Sequence, residues 1–515
     1  MDNTVVHSPL TPLAHGPTTS PTVGFVRLPT PDSKGNTIDM ESTAPVETPT
    51  TLWKEVKANF VLAFPLILSS GLMFIPFTTS TVLIGHMDSD MTSAYIAASS
   101  LSGLVMSLTG VSVVIGLLSA LDTLCPQAVG AGKLHHLGMY FQSGLIVMSL
   151  ACIPIFILNW NVEAILIALN QEHEIAALAG EFNKYAILGL PGFILYELMQ
   201  KGLQAQGIVT QMVWISAIDN VLNIGLGYWL GYHTSFGFVG VALGRTICYN
   251  LLPLFAYMYM LWNPVHKLWW PESHSWMAQW QTAWKHIPEF LKLGVPGMIM
   301  TMVEQLAFDA ASITVGWLPS AVLSLAVHNV LLTINVIVYS ISIGVGTACC
   351  IRLGNALGAN EPNRARVISN ASLAATVGIV LVVAAVFVAS HRYVPGLFLN
   401  DPDAIEAFQG VVAIFAGFIV VDGLNSTSQS ILRGMGQLTI GAIVNAIAFY
   451  IVGLPLVGLF AFQFEWGLQG TWLGLSVGLT LGVGAYLVII YRSDWQARAD
   501  EAILRNEDEK DDIAE

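Results

Sequence analysis

The sequence predicts an all-α membrane protein of twelve transmembrane helices, arranged as two pseudo-twofold-related lobes of six. Three observations carry this. Only 10% of the 515 residues are charged and 54% are hydrophobic, against roughly 25% charged in soluble domains. From about Ala58 to Tyr491 the chain is a succession of apolar runs, each about 20 residues or more, the length that crosses a bilayer as a helix. A β-barrel would alternate in segments of about ten residues, and none is seen. Finally, the second half repeats the first.

In chain order, residues 1–52 are rich in Pro, Ser and Thr and lack an apolar core. This predicts a disordered tail without a cleavable signal peptide. Its five Ser/Thr-Pro pairs (Ser8-Pro9, Thr11-Pro12, Ser20-Pro21, Thr30-Pro31, Thr48-Pro49) are candidate phosphorylation sites or parts of a plain extension. An N-lobe follows over 53–261, with spans at 58–84, 95–120, 139–160, 176–204, 210–232 and 236–261. The linker 262–287 holds six tryptophans, of which Trp276, Trp280 and Trp284 share one helical face. That pattern fits an amphipathic helix on the membrane surface, or a helix packed on the protein itself. The C-lobe, 288–491, has spans at 288–318, 321–350, 366–390, 405–433, 438–462 and 466–491. The acid-rich stretch 492–515 reads as a solvated tail.

Twelve spans place both tails on one side. Loops on that side carry Lys133, Lys267, Lys285, Arg352, Arg364 and Arg366, with Arg433 at a helix end; the other side carries Arg392. The positive-inside rule makes both tails cytosolic, in the plasma or a vacuolar membrane.

The halves match at an offset of 228 to 231 residues. Pro65 recurs as Pro296, Gly85 as Gly316, Ala128-Val-Gly-Ala131 as Ala356-Leu-Gly-Ala359, and Leu203…Gly207 as Leu432…Gly436. Gly237-x-x-Gly240-x-x-x-Gly244 recurs as Gly467-x-x-Gly470-x-x-x-Gly474. A repeat with an even number of spans keeps its orientation, so the two lobes are related by an axis along the membrane normal, with a cleft between them.

Ionisable groups inside a span are costly and are functional candidates by default. In the first half these are Glu181, Lys184, Glu197, Lys201, Asp219 and Arg245; in the second, Glu304, Asp309 and Asp422. Glu197 with Lys201, and Glu181 with Lys184, are spaced to neutralise each other. Glu304 and Asp422 have no basic residue within one turn. Asp422 begins a polar stripe of Asn425, Ser426, Gln429 and Arg433. Span eight carries another, with His328, Asn335, Tyr339 and Ser342 on one face and Asn329 and Thr333 beside it. Such stripes face protein or a wet cavity, not lipid. Glu304 and Asp422 are therefore the candidate proton- or cation-coupling residues. Asp309, Asn329, Thr333, Asn335, Tyr339, Asn425 and Gln429 are the candidate substrate-binding residues. A carboxyl group in a poorly hydrated cavity favours its neutral form, so one site holds a proton or an organic cation, not both.

The net charge of −14 argues against a nucleic-acid partner. The five cysteines form no metal-ligand spacing, and no nucleotide-binding or hydrolase motif is present. No cofactor or metal is expected.

Four motifs resemble the multidrug and toxic compound extrusion (MATE) family of transporters, and the long Ser/Thr-Pro tail suits a eukaryotic, fungal member. Ser119-Ala-Leu-Asp-Thr-Leu-Cys-Pro-Gln-Ala-Val-Gly-Ala-Gly132 is similar to the signature after span two, with Asp122 where Glu is usual. Arg352-Leu-Gly-Asn-Ala-Leu-Gly-Ala359 is similar to its partner after span eight. Leu203-Gln-Ala-Gln-Gly207 and Leu432-Arg-Gly-Met-Gly436 resemble the paired motifs after spans four and ten. The resemblance implies a V-shaped two-lobe exporter that exchanges organic cations and lipophilic compounds for H⁺ or Na⁺. It also implies transport roles for Glu304 and, five residues on, Asp309, and a cation-linked role for Asp422. Span one has no acid between Val56 and Met87, which moves the coupling site to the second half. A monomeric antiporter is the leading expectation. A lipid-linked sugar flippase of the same superfamily, a membrane-embedded enzyme and a receptor or scaffold are the alternatives.

Overall fold

The computed structural model describes residues 51–87, 90–271, 275–399 and 401–507. The Ser/Thr-Pro pairs of the predicted N-terminal tail lie outside the described residues, as do residues 508–515. Among the described residues twelve long helices follow one another: α1 (Leu52–Gly85), α2 (Thr92–Gly130), α3 (His135–Trp160), α4 (173–205), α5 (Thr210–Tyr232), α6 (Phe238–Trp262), α7 (Ile287–Val315), α8 (Ala321–Gly358), α9 (Pro362–Ser390), α10 (Pro402–Gly434), α11 (Leu438–Gln463) and α12 (Gly467–Arg492). Among the described residues there is no strand.

Ten of the twelve are long and apolar enough to cross a membrane on those grounds alone. The other two fall short for visible reasons. A 3₁₀ turn at Ile187–Gly189 cuts α4 into pieces of 14 and 16 residues, and α5 buries Asp219, Asn220 and Asn223.

The repeat seen in the sequence is a repeat of contacts. Helix α2 lies against α7 and α1 against α8, each pair the image of the other. At one crossing the backbone of Gly116 meets Met298; at the other Gly344 meets Ile67. A Cβ on Gly344 would come within 2.5 Å of the Ile67 side chain, and one on Gly116 would overlap Met298. Only a residue without a side chain lets the helices approach this closely. One apolar core fills the first lobe and another the second. A small cluster joins Leu62, Ala63 and Leu66 of α1 to Val345, Ala348 and Ile351 of α8 across the seam.

Two sequence expectations need correction, and the two readings of the linker each find a counterpart. Helices α2 and α8 run to Gly130 and Gly358, past the predicted ends at 120 and 350. The two signature motifs therefore lie inside the last helical turns, not after them. These ends cross each other, and tertiary packing carries the helices beyond the apolar stretch that hydropathy detects.

The acidic tail is not wholly solvated. Residues Trp495–Arg505 form a helix. Its Trp495, Ala499 and Ala502 pack with Leu353, Leu357, Ala365, Ile368, Tyr486 and Ile490 of the C-lobe. The i, i+4, i+7 spacing of these three residues is an apolar stripe that net charge conceals.

In the linker, the helix Trp276–Lys285 buries Gln279 and Ala283 against α3. The Gln279 amide donates to the His135 carbonyl at 3.1 Å, and Ser143 donates to the Ala283 carbonyl at 2.9 Å. Packing on the first lobe thus accounts for one edge, while Trp276 and Trp284 remain exposed.

Candidate ion-coupling site

An acid–amide cluster lies in the C-lobe, where α10 contributes several polar residues and α7, α8, α11 and α12 one or two each. Glu304 on α7 presents Oε2 to two amides: Gln429 Nε2 of α10 donates at 3.0 Å and Asn445 Nδ2 of α11 at 3.4 Å. Asn445 also donates to the Met300 carbonyl at 3.2 Å. Its Oδ1 accepts from the Tyr486 hydroxyl of α12 at 2.7 Å, and Tyr486 is fully buried. An oxygen held by Tyr486 leaves the amide nitrogen facing Glu304. The carboxylate is thus met by preset donors and by no cation in direct contact among the described residues.

Asp422 on α10 lies beside this group. Asn335 of α8 and Glu304 both lie within electrostatic reach of its carboxyl group. Tyr339, one turn along α8 from Asn335, lies beside Ser426 and within electrostatic reach of both Glu304 and Asp422. The polar stripes of α8 and α10 therefore do meet, and they meet at the two acids.

Their hydrogen bonding is incomplete. Asp422 Oδ1, Asn335 Oδ1 and both polar atoms of the Asn425 amide are buried without a protein partner. Asp422, Asn425 and Gln429 are 1–2% exposed. Leaving such groups unsatisfied is costly. A proton, a water or a small cation placed here would satisfy several of them at once.

Other predicted residues stand elsewhere. Asp309 accepts from Gln305 of its own helix at 3.3 Å, and Tyr450 of α11 lies within its electrostatic reach. Asn329 and Thr333 are exposed on α8, where the Thr333 hydroxyl bonds the Asn329 carbonyl at 2.8 Å; the structure does not bring them to the acids. His328 belongs to the core: its Nε2 meets the Ser312 hydroxyl at 2.9 Å and its ring packs against Trp472.

In the first lobe the expected ion pairs do not form. Among the described residues no ion pair joins Glu197 to Lys201, or Glu181 to Lys184. Lys201 reaches across to Asp122 of α2 at 2.7 Å, a partner 79 residues away that no helical spacing could reveal. Asp219 is 3% exposed and its Oδ1 has no protein partner. Sequence reasoning also missed Asn445 and Tyr486. The available signal was an amide alone in an otherwise apolar run, and a search keyed to ionisable groups passes over it.

A family model described as MatE matches residues 65–229 and 296–459, one stretch in each lobe. Over 452 residues the chain is 30% identical to Multidrug and toxin extrusion protein 2 of Mus musculus, covering 88% of this chain and 77% of that one. It is 31% identical to Protein DETOXIFICATION 17 of Arabidopsis thaliana over 460 residues, 89% and 94% of the two chains. The fold is similar to the crystal structure of the eukaryotic MATE transporter AtDTX14, with a TM-score of 0.80 at 26% identity, covering 88% of this chain and 100% of that one. It is also similar to the Vibrio cholerae MATE transporter VcmN in the bent form, with a TM-score of 0.73 at 16% identity over 88% and 99% of the two chains; at that identity the likeness is one of fold.

Proposed function

Because the chain belongs to the MatE family of multidrug and toxin extrusion transporters, and so is a multi-pass membrane transporter and not an enzyme, we propose that it exports organic cations or lipophilic xenobiotics and metabolites in exchange for protons, by alternating access between its two lobes. The observation that carries the reading is the pair of acids Glu304 and Asp422 in a buried, incompletely satisfied polar cluster. Two neighbouring carboxyl groups repel each other's charge, and either a proton or a cation at the pair relieves that repulsion. Asn335, Tyr339, Asn425 and Gln429 shape this site. Asp309, Asn329 and Thr333 are proposed to contact substrate farther along the cleft. The acidic character of the cluster favours cationic cargo over the anionic headgroups that a lipid-linked sugar flippase would carry.

Reconstituted vesicles given an imposed pH gradient, and separately an imposed Na⁺ gradient, test the coupling. Accumulation of an organic cation with the pH gradient alone is the expected result. Accumulation with the Na⁺ gradient alone would move the coupling to sodium, and accumulation with neither would remove the antiport reading.

We also propose that both termini are cytosolic, in the plasma or a vacuolar membrane, on the charge asymmetry of the loops. The exposed Trp276 and Trp284 support an interfacial seat for the linker helix on the same side. A tag beside Gly85 should be labelled from the side opposite the termini. Labelling of that tag and of terminal tags from one and the same side would reverse the assignment.

A further inference from the structure

Helices α4 and α10 end on the side of the termini, at Ala205 and Gly434. The last carbonyls of a helix have no partner within it. Each of these two is met by a side-chain amide from the opposite lobe. Gln127 Nε2 of α2 donates to the Gly434 carbonyl at 3.0 Å, and Asn355 Nδ2 of α8 donates to the Ala205 carbonyl at 3.5 Å. The two bonds are images of each other. Gln127 and Asn355 stand at matching places in the repeat, as do Ala205 and Gly434. The helix ends that carry the amides also cross at backbone contact: a Cβ on Gly130 would overlap the Asn355 carbonyl, and one on Gly358 the Gln127 carbonyl.

The two arms differ in one respect. Arg505, on the helix Trp495–Arg505, donates from Nη1 to Gln127 Oε1 at 3.1 Å. The Asn355 Oδ1 has no partner. The arm held by Arg505 is the shorter. That helix is rooted in the C-lobe by Trp495, Ala499 and Ala502. At its end Asn506 Oδ1 meets His136 Nδ1 at 3.3 Å and Tyr140 Oη at 3.4 Å, both on α3 of the N-lobe. It is a strap across the seam. Glu55 of α1 adds ion pairs to Arg352 and to Arg364 of the other lobe.

We propose that Gln127 and Asn355 form a two-armed latch that closes the terminal side of the cleft, and that Arg505 on the C-terminal helix holds it shut. The proposal rests on the alternating-access reading, and it adds which contacts must break when this side opens. The device is suited to repeated opening. Each arm is a neutral hydrogen bond between groups that water can satisfy equally, so its net worth is small while its geometry is specific.

Cys350 supplies a reporter. It lies five residues inside Asn355, about 7.5 Å along the helix. It lines a cavity with Asp122, Lys201 and Arg433 and is 4% exposed. The experiment uses vesicles with the termini outward and a chain whose other four cysteines are replaced by alanine; the rate of Cys350 modification by an impermeant maleimide is followed without substrate or gradient. The combined Gln127→Ala and Asn355→Ala variant should label about tenfold faster than the parent, and Arg505→Ala about threefold faster. If the double variant does not reach the membrane, Arg505→Ala carries the test, because its side chain lies outside the spans. Parental rates in the variants would overturn the latch. Because labelling needs no ion gradient, that result would leave the antiport reading standing, and failure of gradient-driven transport would leave the latch standing.

Discussion

Glu304→Gln is expected to reduce gradient-driven export to background while leaving the protein folded. Glutamine matches a protonated glutamate in size and polarity, and its side-chain oxygen can accept from Gln429 and Asn445 as the carboxylate Oε2 does now. What it loses is the titratable group. Stability should change by less than about 1 kcal/mol, since the side-chain volume is kept and no cavity is made. Asp422→Asn should behave likewise. Asp309→Asn should raise the substrate concentration needed for half-maximal transport more than it lowers the maximal rate, since Asp309 lies about 140° around α7 from Glu304. Transport in proteoliposomes under a pH gradient, with thermal melts as the folding control, separates these outcomes. Full proton-driven transport by both Glu304→Gln and Asp422→Asn would overturn the assignment and move attention to Asp219.

Lys201→Met should cost more in stability than any other single change considered for the first lobe. The side chains of Lys201 and Asp122 are 15% and 14% exposed, so removing the ammonium leaves a largely buried carboxylate without its direct partner. Breaking a buried pair from one side typically costs about 3–5 kcal/mol; partial exposure places this case near the lower end. Glu197, four residues before Lys201, would lose the same nearby positive charge. Adding Asp122→Asn to Lys201→Met should recover most of the loss, because no uncompensated charge then remains at that position. Melting temperature and the yield of monodisperse protein are the measurements. A single variant as stable as the parent, or a double variant no better than the single, would show that the pair is not what holds α4 to α2.

The sequence reveals those features of this molecule that depend on spacing along the chain. The apolar runs, the near-constant offset between halves and the polar faces of α8 and α10 are periodicities, and they lead directly to Glu304, Asp422, Gln429 and Asn335. Features that depend on which helices become neighbours are not legible in this way. Lys201 has an acid four residues away yet pairs with one on another helix. Asn329 and Thr333 flank the expected face of α8 but stand exposed, since a shift of one residue turns a side chain through about 100°. Asn445 and Tyr486 carry no charge at neutral pH, so the cost of burying them hardly marks an apolar span. The helix after α12 is written in three small or aromatic residues within an acidic stretch, and average charge conceals it.

The polar make-up of α5 bears on how the chain enters the bilayer as it is made. An aspartate at the centre of an isolated helix costs about 2.5–3.5 kcal/mol to insert, and α5 carries Asp219 together with Asn220 and Asn223. Its neighbour in the finished protein is α1: Asn220 donates to the Leu72 carbonyl at 3.1 Å, and Tyr232 donates to the Leu83 carbonyl. Helix α1 is synthesised first, so the carbonyls that receive these side chains are already in the membrane when α5 leaves the ribosome. Order of synthesis thus places the acceptors of Asn220 and Tyr232 in the chain ahead of the helix that carries these two side chains.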